Sequence, residues 1–265
     1  MGSVMSKQQL NHHLLLSAIA LVASSGIAAA ADIAPAPVYK APVMAPAAVY
    51  NWSGFYLGAN AGAIWSRGSD VTTVNSTGAF VTSTTGNGSN ANFQGGGQIG
   101  FNWMLGPNFV WGIEVDSQYV NQKNAVLSVD GSNRHDTTFD YYGTARGRLG
   151  YAVDNWLFYG TGGLAWGHGQ IVRTQIGPAA LNAATPGTIE TVDNWRTGWA
   201  AGGGIEWGID RHWTARVEYL HIDLGSVASV FPLADRRQVT TLQSDIARVG
   251  INYKFDWGGP VVARY

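Results

Sequence analysis

Residues 245–255 of the chain read DIARVGINYKF, and this stretch decides the fold. Successive side chains of an extended chain point to opposite faces. The two faces differ in chemistry: one carries Val249, Ile251, Tyr253 and Phe255, and the other carries Arg248, Gly250, Asn252 and Lys254. This alternation predicts a strand that separates an apolar environment from a polar one.

Such a strand needs partners, because an unpaired edge with an apolar face aggregates. The best partner for this last strand is the first alternating segment, residues 54–65, and pairing the two closes a barrel. The alternation recurs between them in residues 93–103, 109–119, 139–151, 156–166, 195–207 and 213–219. The total is about eight strands, an even number, as in bacterial single-chain membrane barrels.

The composition agrees with a barrel in a membrane. The chain has 265 residues, of which 12% are charged and 12% aromatic, with 35 Gly, 11 Trp, no Cys and a formal net charge of -1. Soluble domains carry about 25% charged residues, so this chain is poor in charge. The charge balance gives no basic stripe for nucleic-acid binding. The absence of Cys excludes a disulfide framework and a Cys-based metal site.

The N-terminal region predicts export. Lys7 precedes an apolar run, residues 14–23, and the small residues 24–31 follow, which is the layout of a cleaved signal peptide. Residues 32–51 are rich in Ala, Pro and Val and predict an extended periplasmic linker. We therefore divide the chain into a signal peptide (1–31), a linker (32–51), a barrel (52–255) and a C-terminal extension (256–265).

The connections alternate in length. Residues 105–108, 153–155 and 210–212 form short links rich in turn residues, whereas residues 66–91, 121–138, 167–194 and 223–244 form long polar ones. Aromatic residues cluster at strand ends, as in interfacial girdles: Trp52, Trp103, Phe109, Trp156, Trp195, Trp207, Trp213 and Phe255.

The alternative to a membrane barrel is a soluble lipocalin-like barrel, in which the apolar side chains point inward and the polar ones outward. The charged faces here are also rich in Gly, as a crowded interior requires.

The polar faces carry a nearly balanced set of charges. The members are Glu114, Asp116, Arg146, Arg148, Glu206, Arg216, Glu218 and Arg248, with Asp140, Arg196 and Lys254 on the same predicted face. An eight-stranded barrel is just wide enough for side chains to fill, so these charges have to pair. The sequence predicts an ion-pair plug, which is compatible with a small conducting path.

Four segments resemble the small outer-membrane barrels of alphaproteobacteria, relatives of the OmpA transmembrane domain and the opacity proteins. They are residues 50–62 (YNWSGFYLGANAG), 159–165 (YGTGGLA), 216–220 (RVEYL) and 248–255 (RVGINYKF). The resemblance implies an all-β, eight-stranded antiparallel up-and-down transmembrane barrel in the outer membrane of a Gram-negative bacterium. It also implies that Glu114, Glu218 and Arg248 take part in an ion-pair network inside the barrel.

The resemblance implies two partners besides. One is the lipid and lipopolysaccharide of the outer membrane, and the other is the barrel-assembly machinery, which reads a closing strand that ends in an aromatic residue. Tyr253 and Phe255 form this assembly signal here. The extension after Phe255 departs from the family pattern, so the signal is either internal or supplied by Tyr265, and we favour the internal position.

Catalytic and cofactor motifs are weak. The GGGQIG run at residues 95–100 fits a dinucleotide fingerprint formally but lies inside a predicted strand. No His has metal-ligand spacing, and no activated Ser accompanies His135 or His221. We expect no enzyme, no metal and no cofactor. The expected role is structural or at the cell surface, with at most weak porin-like permeability.

The alternative is a surface receptor or adhesin built on the loops, for haem or a host surface. His135, His168, Tyr141 and Tyr142 are the candidate iron ligands, because both His and Tyr serve as haem ligands.

Overall fold

The computed structural model describes residues 50–86, 90–127, 132–177 and 185–255. Nine strands are present in these ranges: β1 (Gly54–Val74), β2 (Phe80–Gly86), β3 (Asn92–Leu105), β4 (Phe109–Leu127), β5 (Asn133–Val153), β6 (Trp156–Gln175), β7 (Ile189–Gly208), β8 (Trp213–Phe231) and β9 (Arg236–Lys254). The predicted signal peptide, most of the linker and the C-terminal extension lie outside the described residues. In the described part of the chain, no helix has the length and apolarity that a membrane span requires.

The strands form one antiparallel ring. Consecutive strands from β3 to β9 are neighbours, and β1 pairs with β9 from Tyr56 opposite Lys254 to Val74 opposite Arg236. On its other flank, β1 pairs first with β3 and then, over residues 68–73, with β2. The ring therefore has eight positions, one of which β3 and β2 share. The predicted all-β barrel is confirmed, and β2 is an additional strand that the alternation did not predict.

The strands extend well beyond the predicted segments. Strands β8 and β9, for example, are joined by a turn of only four residues, 232–235, within the region expected to be a long loop. The prediction of four long loops is therefore wrong in extent. Backbone hydrogen bonds of a ladder do not depend on apolar side chains, so the polar segments continue the wall beyond the apolar zone.

The outer face of the wall is an apolar belt. Its exposed side chains include Leu57, Ile99, Val115, Leu149, Phe158, Leu164, Ile205, Val217, Val249 and Ile251. Aromatic side chains flank this belt; Trp156, Trp207 and Trp213 lie exposed at the short-turn rim, and Trp195 and Trp199 at the opposite rim. A soluble barrel has the reverse arrangement, so this surface is matched to lipid.

A bulge inverts the alternation in β5. The register shifts between Tyr119 and Gln122 of β4 and between Phe139 and Tyr141 of β5. As a result Phe139 is buried inside the barrel, whereas Asp140 is half exposed and contacts His168. The alternation of residues 139–151 predicts Phe139 on the outer face and Asp140 in the lumen. Both assignments are wrong, because a bulge places two consecutive residues against one.

The sequence of β6 leaves its apolar face open, because Leu157 and Tyr159 compete with Phe158 and Leu164 for the outer side. Leu157 and Tyr159 are buried in the barrel interior, whereas Phe158 and Leu164 are exposed on the outer face.

Candidate functional site

The strand register brings the eight charged residues together in the lumen. Across the β4–β5 ladder Glu114 lies opposite Arg146, and across β8–β9 Glu218 lies opposite Arg248. All eight side chains point inward and are at most 4% exposed as residues: Glu114, Asp116, Arg146, Arg148, Glu206, Arg216, Glu218 and Arg248. We call this set the lumen network.

Two arginines lie at the centre of the lumen network. Arg146 Nη2 contacts Glu114 Oε1 at 2.6 Å and Asp116 Oδ2 at 2.8 Å, and its Nη1 contacts Glu218 Oε1 at 3.1 Å. Arg248 donates from Nε to Glu218 Oε2 at 2.6 Å and from Nη2 to Asp116 Oδ2 at 2.9 Å. Each carboxylate is therefore shared between guanidinium groups of different strands, which links opposite walls of the barrel.

A third arginine and a tyrosine complete the contacts of Glu114. Arg216 Nη1 pairs with Glu114 Oε2, and the Tyr56 hydroxyl donates to the same oxygen at 2.7 Å. Tyr56 is fully buried on β1, so this contact joins the first strand to the network. Tyr56 was not among the predicted lumen residues, although its side chain points to the same face of β1 as that of Asn60.

A second pair lies nearer the short-turn rim. Arg148 Nη2 contacts Glu206 Oε2 at 2.6 Å, and its guanidinium carbon lies 4.0 Å from the centroid of the Tyr159 ring. Thr214 and Asn252 donate to the other oxygen of Glu206 at 2.5 and 2.9 Å. Hydrogen bonds of this kind offset the loss of hydration that a buried carboxylate suffers.

The lumen network contains four arginines and four carboxylates, so its formal charges cancel. Burying a charge is costly unless it is paired and hydrogen-bonded, and removing one partner leaves the other uncompensated. The arrangement therefore fixes the relative positions of β4, β5, β7, β8 and β9 around a crowded interior.

Apolar clusters cover the lumen network at both ends. The lower cluster, toward the short-turn rim, consists of Trp52, Val110, Ala152, Leu157 and Tyr159. The upper cluster consists of Ile64, Val120, Phe139, Tyr142, Ala165, Ala200, Leu220, Ile222, Leu224 and Ile246.

Trp52 occupies a different place from the one expected. The prediction assigned it to an interfacial girdle, but it is 1% exposed and lies inside the mouth at the short-turn rim. Its position before β1 lets the chain turn inward, so strand alternation does not apply to it.

Neutral polar side chains extend the network along β1 and β3. Gln98 donates to Asn252 at 2.7 Å and accepts from Asn60 at 2.6 Å. The Tyr142 hydroxyl donates to Gln94 at 3.1 Å, which connects this chain of contacts to β5. The inward parity of Gln94 and Gln98 was visible in the sequence, but parity alone does not show which residues meet across strands.

The remaining predicted lumen charges lie away from the network. Arg196 donates to the Thr240 carbonyl at 2.8 Å beyond the upper cluster, and Lys254 bonds the Asn51 carbonyl at the short-turn rim.

Of the candidate haem ligands, the two histidines lie on different faces of the wall, Tyr141 lies directly opposite His168, and Tyr142 is buried inside the barrel. His135 lies opposite Arg173, whose side chain is buried inside the barrel, and its ring meets Phe231 edge-on at 6.5 Å. His168 contacts Asp140 at 3.0 Å and the exposed Trp195 on the outer face. The structure does not bring the two histidines together. Within the described residues, no group of three or more His, Cys, Asp or Glu side chains is placed to hold a metal ion.

The predicted assembly residues lie at the outer side of the short-turn rim. The Phe255 ring packs against Phe55 at 5.5 Å and against Tyr253 at 5.0 Å. Tyr265 lies outside the described residues.

An apolar outer face, aromatic rims and a charged interior define a membrane-spanning β-barrel. The chain belongs to the outer membrane protein beta-barrel domain family, whose match covers residues 17–255. It is an outer-membrane protein, as its relatives are.

The similar proteins include outer-membrane proteins of alphaproteobacteria. The chain is 30% identical over 252 residues to the 31 kDa outer-membrane immunogenic protein of Brucella melitensis, covering 91% of this chain and 99% of the relative. It is 29% identical to the 25 kDa outer-membrane immunogenic protein of Brucella abortus, covering 91% and 97%. It is 30% identical to the 22 kDa outer membrane protein of Rhizobium leguminosarum bv. viciae over 133 residues, covering 49% and 53%.

Among solved structures, the outer membrane protein OprG from Pseudomonas aeruginosa is 12% identical, with a TM-score of 0.49 and coverage of 78% of this chain and 99% of that one. Ail, the attachment invasion locus protein of Yersinia pestis, is 13% identical, with a TM-score of 0.34 and coverage of 74% and 99%. At this level of similarity neither structure informs the site.

Proposed function

We propose that the protein is a closed barrel with a structural role at the cell surface and at most weak passive permeability. The observation that supports this proposal most strongly is the layering of the lumen. A charge-balanced network with side-chain exposures of at most 3% lies between two buried apolar clusters.

Each layer opposes conduction for a different physical reason. The apolar clusters disfavour hydrated ions, as hydrophobic constrictions in channels do. In the network, an ion entering has to compete with contacts such as Arg146 to Glu114 that already satisfy both partners. Rearrangement of such pairs is the route by which brief, small openings arise.

Single-channel recording of the refolded mature protein in a planar bilayer tests the proposal. We expect a quiet baseline with infrequent small openings. A stable open level of the size that water-filled porins give overturns the proposal. The double variant Arg146→Ala/Glu218→Ala is a positive control, because it removes two lumen side chains without changing the net charge, and it should open more often.

A haem site that uses both histidines finds no support, because His135 and His168 face different sides of the wall. Absorbance of the refolded protein titrated with haem checks this point, and we expect no Soret shift of a bis-histidine complex. Such a shift, abolished by His135→Ala and by His168→Ala, would restore the alternative.

A further inference from the structure

The residues just before β1 enter the barrel mouth instead of continuing along the wall. We call residues 50–52 the strap. Trp52 is 1% exposed and packs in the lower cluster with Val110, Ala152 and Leu157, which lie on β4, β5 and β6. The strap therefore covers the short-turn end of the lumen and packs against strands β4, β5 and β6.

The barrel is shaped to receive the strap. The Tyr50 ring lies 4.7 Å from the Trp52 ring and covers Gly208, where an added Cβ would come within 2.4 Å of Tyr50. Lys254, at the end of β9, bonds the Asn51 carbonyl and lies with Nζ 4.9 Å from the centre of the Tyr50 ring. A glycine at 208 and a cation at 254 thus hold the strap in a defined position.

The strap is held less firmly than the strands. Trp52 N–H donates to the sulfur of Met104 at 3.3 Å, which is a weak acceptor, and Trp52 Nε1 is buried without a hydrogen-bond partner among the described residues. A buried donor without a partner destabilises the closed position. Strand β1, by contrast, has a continuous ladder with β9, so the strap opens at lower cost than the strand that follows it.

We propose that the strap is a releasable stopper of the mouth at the short-turn rim, the rim that faces the periplasm in outer-membrane barrels. Its withdrawal admits water and small solutes to the lower half of the lumen, as far as the lumen network. This inference goes beyond the proposed function, because the network can block ion flow whether the strap is in or out.

The lack of Cys in the chain permits a direct test. Ala152→Cys places a single thiol in the lower cluster under Trp52, and its labelling by a small charged thiosulfonate in detergent micelles reports the opening of the mouth. Trp52→Ala should speed this labelling by about tenfold or more, because protection follows the cost of local opening. Trp213→Ala removes an exposed tryptophan from the same rim and should leave the rate unchanged.

A second variant leaves the strap sequence intact. Gly208→Ala introduces a methyl group that displaces Tyr50, so it should also speed the labelling of Ala152→Cys. Gly147→Ala is its matched control, because an added Cβ there meets nothing closer than 3.9 Å. If Trp52→Ala fails to fold, as judged by heat-modifiable gel mobility, the glycine pair carries the test.

Two outcomes overturn the stopper. One is labelling of Ala152→Cys that is equally fast with the strap intact and displaced. The other is an equal acceleration at Ala200→Cys in the upper cluster, which would mean that the whole barrel loosens. Neither outcome bears on single-channel conductance, so failure here is distinguishable from failure of the proposed function.

Discussion

The inner and outer faces of the wall belong to the same strands but obey opposite rules. On β3, Ile99 is 46% exposed on the outer face, whereas its neighbour Gln98 is 1% exposed and hydrogen-bonded to two other strands. Outside, a side chain has only to be apolar, because lipid accepts many shapes. Inside, a side chain has to match specific partners in charge and position. The outer face therefore places the protein in the membrane, and the inner face specifies the arrangement of its interior.

The largest effect should come from breaking an ion pair on the inner face. Glu218→Ala removes one carboxylate partner from each of Arg248 and Arg146, and we expect a loss of about 3–5 kcal/mol in the free energy of unfolding. Urea titration in lipid vesicles measures this loss. Adding Arg248→Ala should recover part of it, whereas strictly additive losses would show that the two residues do not couple.

A charge on the outer face should have the next largest effect. Ile99→Arg places a cation in the apolar belt and should cost about 2–4 kcal/mol near the bilayer midplane. Ile99→Leu is the matched control and should be nearly neutral in the same urea titration. An arginine tolerated at position 99 would contradict the assignment of this face to lipid.

The complementary experiment places an apolar side chain on the polar inner face. Gln98→Leu leaves Asn60 and Asn252 without this hydrogen-bond partner and should cost about 1–3 kcal/mol, although leucine is the more lipophilic side chain. A stabilising effect of Gln98→Leu would mean that position 98 contacts lipid and that the register is inverted.

The smallest effect on stability is expected at the short-turn rim. Phe255 is exposed on the outer face, so Phe255→Ala should change the free energy of unfolding by only about 0.5 kcal/mol. The same change should strongly reduce insertion in cells, because we propose that Phe255 ends the assembly signal. Outer-membrane levels of Phe255→Ala and Tyr265→Ala compare the two candidate signals, and greater damage from Tyr265→Ala would place the signal in the extension.

The outer face was more predictable from the sequence than the inner one. Alternation identified β3, β4, β7 and β9 because a lipid belt imposes an apolar residue at every second position. Beyond the belt this constraint ends, so the Ser- and Thr-rich strand β2 and the polar ends of β8 and β9 carried no signal. The bulge at Phe139 inverted the assignments of Phe139 and Asp140 for a similar reason, since it depends on pairing across strands.

For the inner face, the sequence predicted which residues point into the lumen but not which of them contact one another. Parity selected the eight charged side chains of the lumen network, but the partners of Glu114 include Arg216 from β8 and Tyr56 from β1. Contacts across a lumen depend on strand stagger and side-chain length, which no single strand pattern contains. The same limit explains why Trp52 was assigned to a girdle when it lies inside the mouth.

The most direct test of the difference between the two faces is a spin-label scan along β3. The chain has no Cys, so single cysteines at consecutive positions from Gln98 to Trp103 can be labelled without background. In lipid vesicles we expect collision with oxygen, which concentrates in lipid, to be high at Ile99, Phe101 and Trp103 and low at the positions between them. Uniform oxygen accessibility, or maxima at Gln98, Gly100 and Asn102, would contradict the account.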